Sequence, residues 1–154
     1  MTDGVRWLSP REQQAWRAYL HADRLLREGL ERQLRRDAHM SHVHYQILVH
    51  LSECPDRSRS MTSLARLVDI SPSRLSHAMS TLESRGWVSR CRDADNGRSV
   101  VARLTDVGFA ALTEAAPGHV REVRRRVFDR LTSEQIDAMA AIAAVMAGPE
   151  PGPI

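Results

Sequence analysis

The chain has 154 residues and a formal net charge of +3, a length suited to one compact domain with extensions. It contains no apolar run of about 20 residues and no N-terminal apolar signal segment, so we expect a cytoplasmic protein with no membrane partner. Two cysteines are too few for a disulfide-rich fold, and the charge is uneven: residues 55–104 hold nine arginines against five acidic residues.

Two helices are predicted before residue 55. Ser9 and Pro10 mark the start of the first, because serine caps helix N-termini and proline fits the first helical position. Apolar residues recur at spacings of three and four from Arg11 to Asp37. A continuous helix there is about 40 Å long, too long for one small unit to cover. Ser41 is predicted to cap the second helix, and residues 56–60 are predicted to be a polar loop.

The next segment predicts two short helices joined by a tight turn. The turn spans residues 69–71, which is helix-turn-helix spacing, and the first helix carries Leu64, Ala65, Leu67, Val68 and Ile70 on its apolar face. Ser71 and Pro72 begin the second helix and Gly86 ends it. Its apolar residues recur at i, i+3, i+4 and i+7 and form one stripe that packs on a core: Leu75, Ala78, Met79 and Leu82.

The opposite side of that second helix is small and polar, with no acidic residue in its first two turns. Such a surface suits the major groove of DNA, where hydroxyl, imidazole and guanidinium groups meet bases and phosphates. We therefore predict DNA contacts from Ser71, Ser73, Arg74, Ser76 and His77. For the helix taken alone, a solvated surface helix is the alternative.

Residues 88–92 and 99–104 are predicted to pair as a β-hairpin, because both have strand length and alternation. Its buried set is expected to be Val88 on one strand and Val100, Ala102 and Leu104 on the other. Asn96 and Gly97 favour a reversal between the strands. A hairpin beside a DNA-contacting helix is a wing, and its predicted contacts with the flanking DNA are Arg90, Arg92, Asn96 and Arg98.

After the hairpin, residues 105–131 predict helical structure interrupted at Pro117-Gly118, either as a kink or as two helices. The run Arg124–Arg126 favours a solvated face, since consecutive residues spread around a helix. Residues 132–135 are a capping signature for a last helix that is rich in alanine and apolar residues. Such a surface is seldom left in water, so we expect a partner subunit to cover it.

The order of these elements and the stretch LESRGWVSRCRDADNGRSVVARLTDVG resemble the multiple antibiotic resistance regulator (MarR) family of winged-helix transcription factors. The resemblance extends over residues 10–146. Where the family has Asp-x-Arg in the wing, this chain has Asn96-Gly97-Arg98. The resemblance implies a mainly α fold with a small β-hairpin wing. It divides the single domain 1–154 into a winged helix-turn-helix unit, 38–104, and dimerisation helices, 10–37 and 105–147.

The same resemblance implies a homodimeric regulator, more commonly a repressor, that binds an inverted repeat in double-stranded DNA without a cofactor. It also implies release by a small aromatic or anionic ligand held between the dimerisation helices and the winged unit. Aromatic and imidazole side chains of the first two helices are candidates for that pocket, although core packing also explains the first two of them: Trp16, Tyr19, His42, His44 and Tyr45.

Two other functions stay open at this level. His39, His42 and His44 fall within six residues and are candidate zinc ligands for a metal-responsive regulator. No carboxylate or thiolate stands at a spacing that completes such a site, so we predict no metal site. Alternatively, the winged unit is an adaptor that binds protein instead of DNA. An enzyme is not expected, because the chain lacks a phosphate loop and the His-Glu-x-x-His and Gly-x-Ser-x-Gly motifs.

Overall fold

The fold comes from a computed structural model that describes residues 4–92 and 99–148. Six α-helices, three short strands and one 3-10 turn follow one another along this described part of the chain. In order they are α1 (Pro10–Ala38), α2 (His42–Ser52), β1 (Ser58–Ser60), α3 (Met61–Val68), α4 (Pro72–Ser84), β2 (Val88–Arg92), β3 (Val100–Leu104), α5 (Asp106–Arg126), the 3-10 turn Phe128–Arg130, and α6 (Ser133–Ala147). The mainly α fold with a small β-hairpin is confirmed.

Polar caps begin the helices at the positions that the sequence predicted. Ser9 and Glu12 form a reciprocal capping box, in which Ser9 N–H donates to Glu12 Oε2 at 2.7 Å and Glu12 N–H donates to Ser9 Oγ at 3.3 Å. Side-chain caps also begin α2, α4 and α6, at Ser41, Ser71 and Thr132. Because these bonds satisfy backbone N–H groups locally, a few neighbouring residues are enough to predict where each helix begins.

The core lies inside the winged unit and at its contact with α1 and α5. Its largest fully buried side chains come mostly from α2, α3 and α4, with one from α1: Leu34, Ile47, Leu48, Leu51, Leu64, Leu75, Met79 and Leu82. The predicted stripe of α4 is confirmed. Leu67 of α3 was predicted on the apolar face and is exposed. Because each residue turns a helix by about 100°, Leu67 falls beyond the edge of the face that Leu64 and Val68 bury.

The three strands form an antiparallel sheet in the order β1-β3-β2. The prediction of a polar loop over residues 56–60 was wrong, because Ser58–Ser60 pairs with β3 in the register Ser58↔Arg103. A three-residue polar strand carries no alternation that a sequence could reveal. Val100 was also predicted to be buried and is 43% exposed. It pairs with Arg92 at the end of the hairpin that lies beyond the core, whereas Leu104 pairs with Val88 over the core.

Helix α5 continues through Pro117, so of the two alternatives, a kink or two helices, the division into two helices is not found. A proline inside a helix costs about 3 kcal/mol, because it removes one hydrogen bond and crowds the preceding turn. Packing between α5 and α1 offsets this cost. Gly118 lies against the buried Gln33 of α1, and the Arg126 guanidinium lies over Gly29 of α1. Arg126 is therefore part of this contact, while Arg124 and Arg125 are exposed, as predicted for a solvated face.

The two ends of the chain leave apolar surface uncovered. Within α6, which is described from end to end, no residue is buried against the rest of the described chain, and Val145 is 83% exposed. The N-terminal half of α1 also exposes large apolar side chains: Trp16, Tyr19, Leu20 and Leu25. In the described part of the chain, no helix has both the length and the apolar character to span a bilayer.

Candidate nucleic-acid interface

Helix α4 presents its polar side outward because its apolar side is anchored. Leu75, Ala78, Met79 and Leu82 are all buried in the core. The predicted DNA contacts on α4 or at its cap are all exposed: Ser71, Ser73, Arg74, Ser76 and His77. The structure therefore brings these five residues together on one surface at the N-terminal end of the helix, where unpaired backbone N–H groups also favour an anion.

Hydrogen bonding divides the hydroxyl groups of α4 into two sets. Toward the C-terminal end, Ser80 and Thr81 donate to backbone carbonyl oxygens one turn earlier, at 3.0 and 3.4 Å. At the N-terminal end, Ser71 Oγ accepts the Arg74 N–H at 3.3 Å and lies 3.1 Å from Ser73 Oγ. The side chains of Arg74, Ser76 and His77 make no hydrogen bond with any residue that the structure describes. These three groups are free to bind a ligand.

A cleft of about 530 Å³ lies beside this surface, between α4 and the α1–α2 region. Arg74, His77 and Ser73 form its α4 side, and His44, Arg35 and Glu31 contribute from the other side. Burial lowers the pKa of His44, and the nearby charges of Arg85 and Arg35 lower it further. His44 Nδ1 is buried without a hydrogen-bond partner in the described chain. Sequence reasoning missed Arg35 and Glu31, since only the fold brings α1 next to α4.

The hairpin is attached to α4 by an ion pair that the sequence did not reveal. Arg90 of β2 donates to Glu83 of α4 through Nη2 at 2.5 Å and through Nε at 3.0 Å. Its Nη2 also lies 3.4 Å from Ser80 Oγ. Arg92 is exposed and has no such partner among the described residues. Asn96 and Arg98, the other predicted wing contacts, lie outside the described residues.

The five predicted ligand-pocket residues do not meet in one place within the chain. Trp16 and Tyr19 stack on each other at 5.9 Å between ring centroids on the exposed half of α1. The backbone N–H of His42 donates to Glu31 of α1. Glu31 lies 15 residues after Trp16, so His42 is about 22 Å farther along the helix than Trp16. His44 lines the cleft beside α4.

His42 and Tyr45 instead pack against His119 of α5, a residue that sequence reasoning missed. The ring centroids of His42 and Tyr45 lie 5.8 and 4.3 Å from that of His119. Burial lowers the pKa of both His42 and His119.

The histidines considered for zinc do not converge. His42 faces His119, His44 faces the cleft, and His39 ends α1 in a left-handed conformation, with its carbonyl oxygen accepting from Arg85 at 2.7 Å. Over residues 4–92 and 99–148, no three His, Cys, Asp or Glu side chains are arranged to hold a metal ion.

Known proteins that resemble this chain share both its sequence and its fold. Residues 40–99 match the sequence model of the MarR family. Sco3205, a MarR family transcriptional regulator from Streptomyces coelicolor solved in complex with DNA, is 47% identical. That match covers 98% of this chain and 95% of Sco3205, with a TM-score of 0.90. AbsC, a MarR family transcriptional regulator from the same organism, is 35% identical over 93% of this chain and 96% of its own, with a TM-score of 0.87.

A more distant relative is the HTH-type transcriptional repressor YetL of Bacillus subtilis. It is 26% identical over 98 residues, which are 64% of this chain and 58% of YetL. The match to Sco3205 is the stronger indication of family membership, since it extends from α1 to α6 and includes the exposed helix α4 with its hairpin. This chain therefore belongs to the MarR family of DNA-binding transcriptional regulators rather than to a family of enzymes.

Proposed function

We propose that this protein is a homodimeric repressor that recognises an inverted repeat through α4. The observation that carries the proposal is the exposed polar surface at the start of α4, where Arg74, Ser76 and His77 have no partner in the described chain. In the proposed complex these side chains and Ser73 reach base edges in the major groove, while Ser71 keeps its capping role and lies near a phosphate. Arg92, Asn96 and Arg98 of the hairpin contact the flanking DNA backbone.

The proposed dimer pairs the dimerisation helices, 10–37 and 105–147, of two copies around the winged units, 38–104. Support comes from the exposed apolar side chains of α6 and of the N-terminal half of α1, because surfaces of this kind are rarely left in water. A two-fold axis through these helices places both α4 helices on one side of the dimer. The half-sites of the target are then about 34 Å apart, one turn of the duplex.

Repression and ligand release complete the proposal. YetL is a repressor by name, and a dimer that occupies an operator excludes other proteins from it. The proposed effector is a small aromatic or anionic molecule bound in the cleft beside α4. Arg35, His44 and Arg74 line that cleft, so an anion bound there competes with DNA for Arg74. Trp16, Tyr19, His42 and Tyr45 do not line the cleft and are proposed as ligand contacts only in the dimer. Acting on DNA, the protein would work in the cytoplasm.

Selection from a random duplex library tests this function. We expect the purified full chain to enrich one inverted repeat, and fluorescence anisotropy to give much tighter binding to it than to a scrambled duplex. A panel of aromatic acids is then added to the complex, and at least one member is expected to weaken binding. Failure to enrich any sequence would contradict the proposal and favour the protein-binding adaptor.

A further inference from the structure

The ion pair between Glu83 and Arg90 joins the last turn of α4 to the first strand of the hairpin. Its side chains are each 30% exposed, so the pair is partly shielded from solvent. The bond to Glu83 raises the pKa of Arg90. Ser80 Oγ donates to the Ser76 carbonyl oxygen, and it therefore accepts from Arg90. One guanidinium thus holds two successive turns of α4.

Strand register explains why Arg90 points to the helix. Val88, two residues earlier, is buried in the core, and alternate residues of a strand share a face. Arg90 lies opposite Ala102, which is fully buried, and therefore extends the inner face of the hairpin beyond the core. Between α4 and β2 the chain reverses at Gly86, whose φ is +69°. The ion pair spans this reversal.

We propose that Arg90 is a positioning residue, which with Glu83 fixes the angle between the hairpin and α4 and so lets both enter the DNA together. Its guanidinium is paired with a carboxylate, so the pair carries no net charge that would attract a phosphate or release a counterion. A hairpin that is already held at one angle does not lose conformational freedom on binding. This lower entropic cost raises the affinity for DNA. The inference rests on the proposed use of α4 and the hairpin for DNA binding.

Glu83→Gln distinguishes a positioning role of Arg90 from a direct phosphate contact, because the two roles predict opposite effects on DNA affinity. If Arg90 only positions the hairpin, losing the carboxylate weakens binding to the selected operator by about tenfold, as for other coupled side-chain pairs. Arg90→Ala weakens it by a similar factor, and the double variant Glu83→Gln/Arg90→Ala binds no worse than the weaker single variant. If Arg90 instead contacts a phosphate, Glu83→Gln frees the guanidinium and tightens binding, and this result overturns the proposal.

The dependence of affinity on salt gives a second readout that a general loss of structure does not mimic. With Arg90 in a positioning role, the slope of log affinity against log salt is the same for Arg90→Ala and the unmodified chain. Loss of a phosphate contact makes that negative slope shallower by about 0.9, and this result also overturns the proposal. Arg90→Lys keeps a cation that reaches Glu83 but lacks the fork of the guanidinium, so its operator affinity is expected to lie between those of Arg90→Ala and the unmodified chain.

Three further measurements keep the result specific to this pair. Glu53→Gln makes the same chemical change at the exposed C-terminal end of α2, outside α4, the hairpin and the dimerisation helices, and is expected to leave operator affinity unchanged. Urea unfolding of each variant shows whether the fold is intact. Arg74→Ala tests the contact surface of α4 itself: if it binds normally, the proposed contacts are wrong, whereas the positioning role is judged from the Glu83 and Arg90 variants alone.

Discussion

Arg74 combines two properties that make it the central side chain of the proposed DNA interface. Its backbone N–H is held by the Ser71 cap, which fixes the first turn of α4 and the direction in which the side chain leaves the helix. Its guanidinium is exposed and unpaired within the described chain. A planar guanidinium forms two parallel hydrogen bonds with guanine, the commonest specific contact in the major groove. The same side chain lines the cleft proposed for the effector.

Arg74→Ala is expected to change which sequences are preferred. Binding to the selected operator should weaken by about 1–3 kcal/mol, while binding to scrambled duplex changes much less. Anisotropy titrations on single-base variants of the operator measure this, and preference should relax at one position in each half-site. Arg6→Ala, which removes an exposed arginine outside the proposed DNA surface and the dimerisation helices, is the control. An equal loss on all sequences would assign Arg74 to the phosphates instead.

Gly108 lies at a close backbone approach between α5 and the segment that precedes the hairpin. A Cβ at this position would overlap the Trp87 carbonyl group, which is backbone and has little freedom to move. Three residues earlier, Thr105 caps α5 and also donates through Oγ1 to the Gly86 carbonyl oxygen at 2.6 Å. Gly108 therefore lets α5 begin directly against the end of the α4–β2 connection.

Gly108→Ala should lower the free energy of unfolding by about 1–3 kcal/mol, the usual cost of overpacking. Gly118→Ala is the matched control in the same helix, because its Cβ would meet the ends of two side chains rather than backbone: Gln33 at 3.0 Å and Arg121 at 3.9 Å. There the gain in helix propensity offsets the adjustment, so stability should stay within about 1 kcal/mol. Urea denaturation of both variants decides the matter, and equal losses would contradict this account of Gly108.

At the scale of elements, the junction of α1, α2 and α5 connects the winged unit to the long helices. His42 and Tyr45 of α2 pack on His119 of α5, and Glu31 of α1 accepts the His42 N–H at 2.7 Å. Two partly buried imidazoles therefore lie side by side with one carboxylate nearby. Glu31 favours the charged form of His42, whereas burial and Arg27 oppose it, and the net effect is a lowered pKa.

The partly buried histidines of α2 and α5 predict that the folded chain loses stability on mild acidification. The folded pKa of His42, His44 and His119 is lowered, so below about pH 6.5, the ordinary histidine value, the unfolded chain binds more protons than the folded one. The free energy of unfolding should therefore be highest above that pH and fall as the pH decreases through and below it. Urea titrations between about pH 7.5 and 5.5 measure the slope.

His119→Phe should make that slope shallower, because it keeps an aromatic ring against Tyr45 and removes one ionisable group. His21→Phe makes the same chemical change at an exposed position of α1, away from the junction, and its slope is measured beside that of His119→Phe. The slopes are compared rather than the absolute stabilities, so a small packing change does not affect the result. An unchanged slope in His119→Phe would rule out this imidazole as a source of the pH dependence.

At the scale of the whole molecule, the chain combines a well-packed winged unit with terminal helices whose apolar side chains are exposed. The core is concentrated around α2, α3 and α4, whereas α6 buries no residue within the described chain. Its apolar side chains lie on an element with few contacts to the rest of the subunit. In the proposed dimer a second copy covers this surface with its own α6, because a two-fold interface uses the same surface of both copies.

Ile142→Glu should convert the proposed dimer into monomers without unfolding the winged unit, because this α6 side chain is 59% exposed in a single subunit. Loss of the linked second α4 should weaken operator binding by about a hundredfold or more. Light scattering after size exclusion measures the mass, and anisotropy measures the affinity. Leu67→Glu, which alters an exposed apolar residue of α3, is the control for mass and should remain dimeric. A monomeric unmodified chain would contradict the proposed assembly.

Local chemistry is what made the sequence informative. The caps at Ser9, Ser41 and Ser71 and the stripe from Leu75 to Leu82 depend on residues within two turns of each other, and the structure confirms them. The exposed polar surface of α4 follows from that stripe, so this half of the candidate interface was predictable too. Its wing half was predicted only in outline: the strands are confirmed, but the partner of Arg90 was not foreseen.

Contacts between distant residues were decided by the tertiary structure alone. The pairing of Ser58–Ser60 with β3, the exposure of Val100, the passage of α5 through Pro117 and the ion pair between Glu83 and Arg90 all depend on which element lies alongside. The sequence by itself determined the helices, the turn of the helix-turn-helix and the side of α4 that faces outward, because periodicity and capping are encoded by near neighbours. Only folding determined which charges are neutralised and which surfaces stay uncovered, since burial is a property of packed elements.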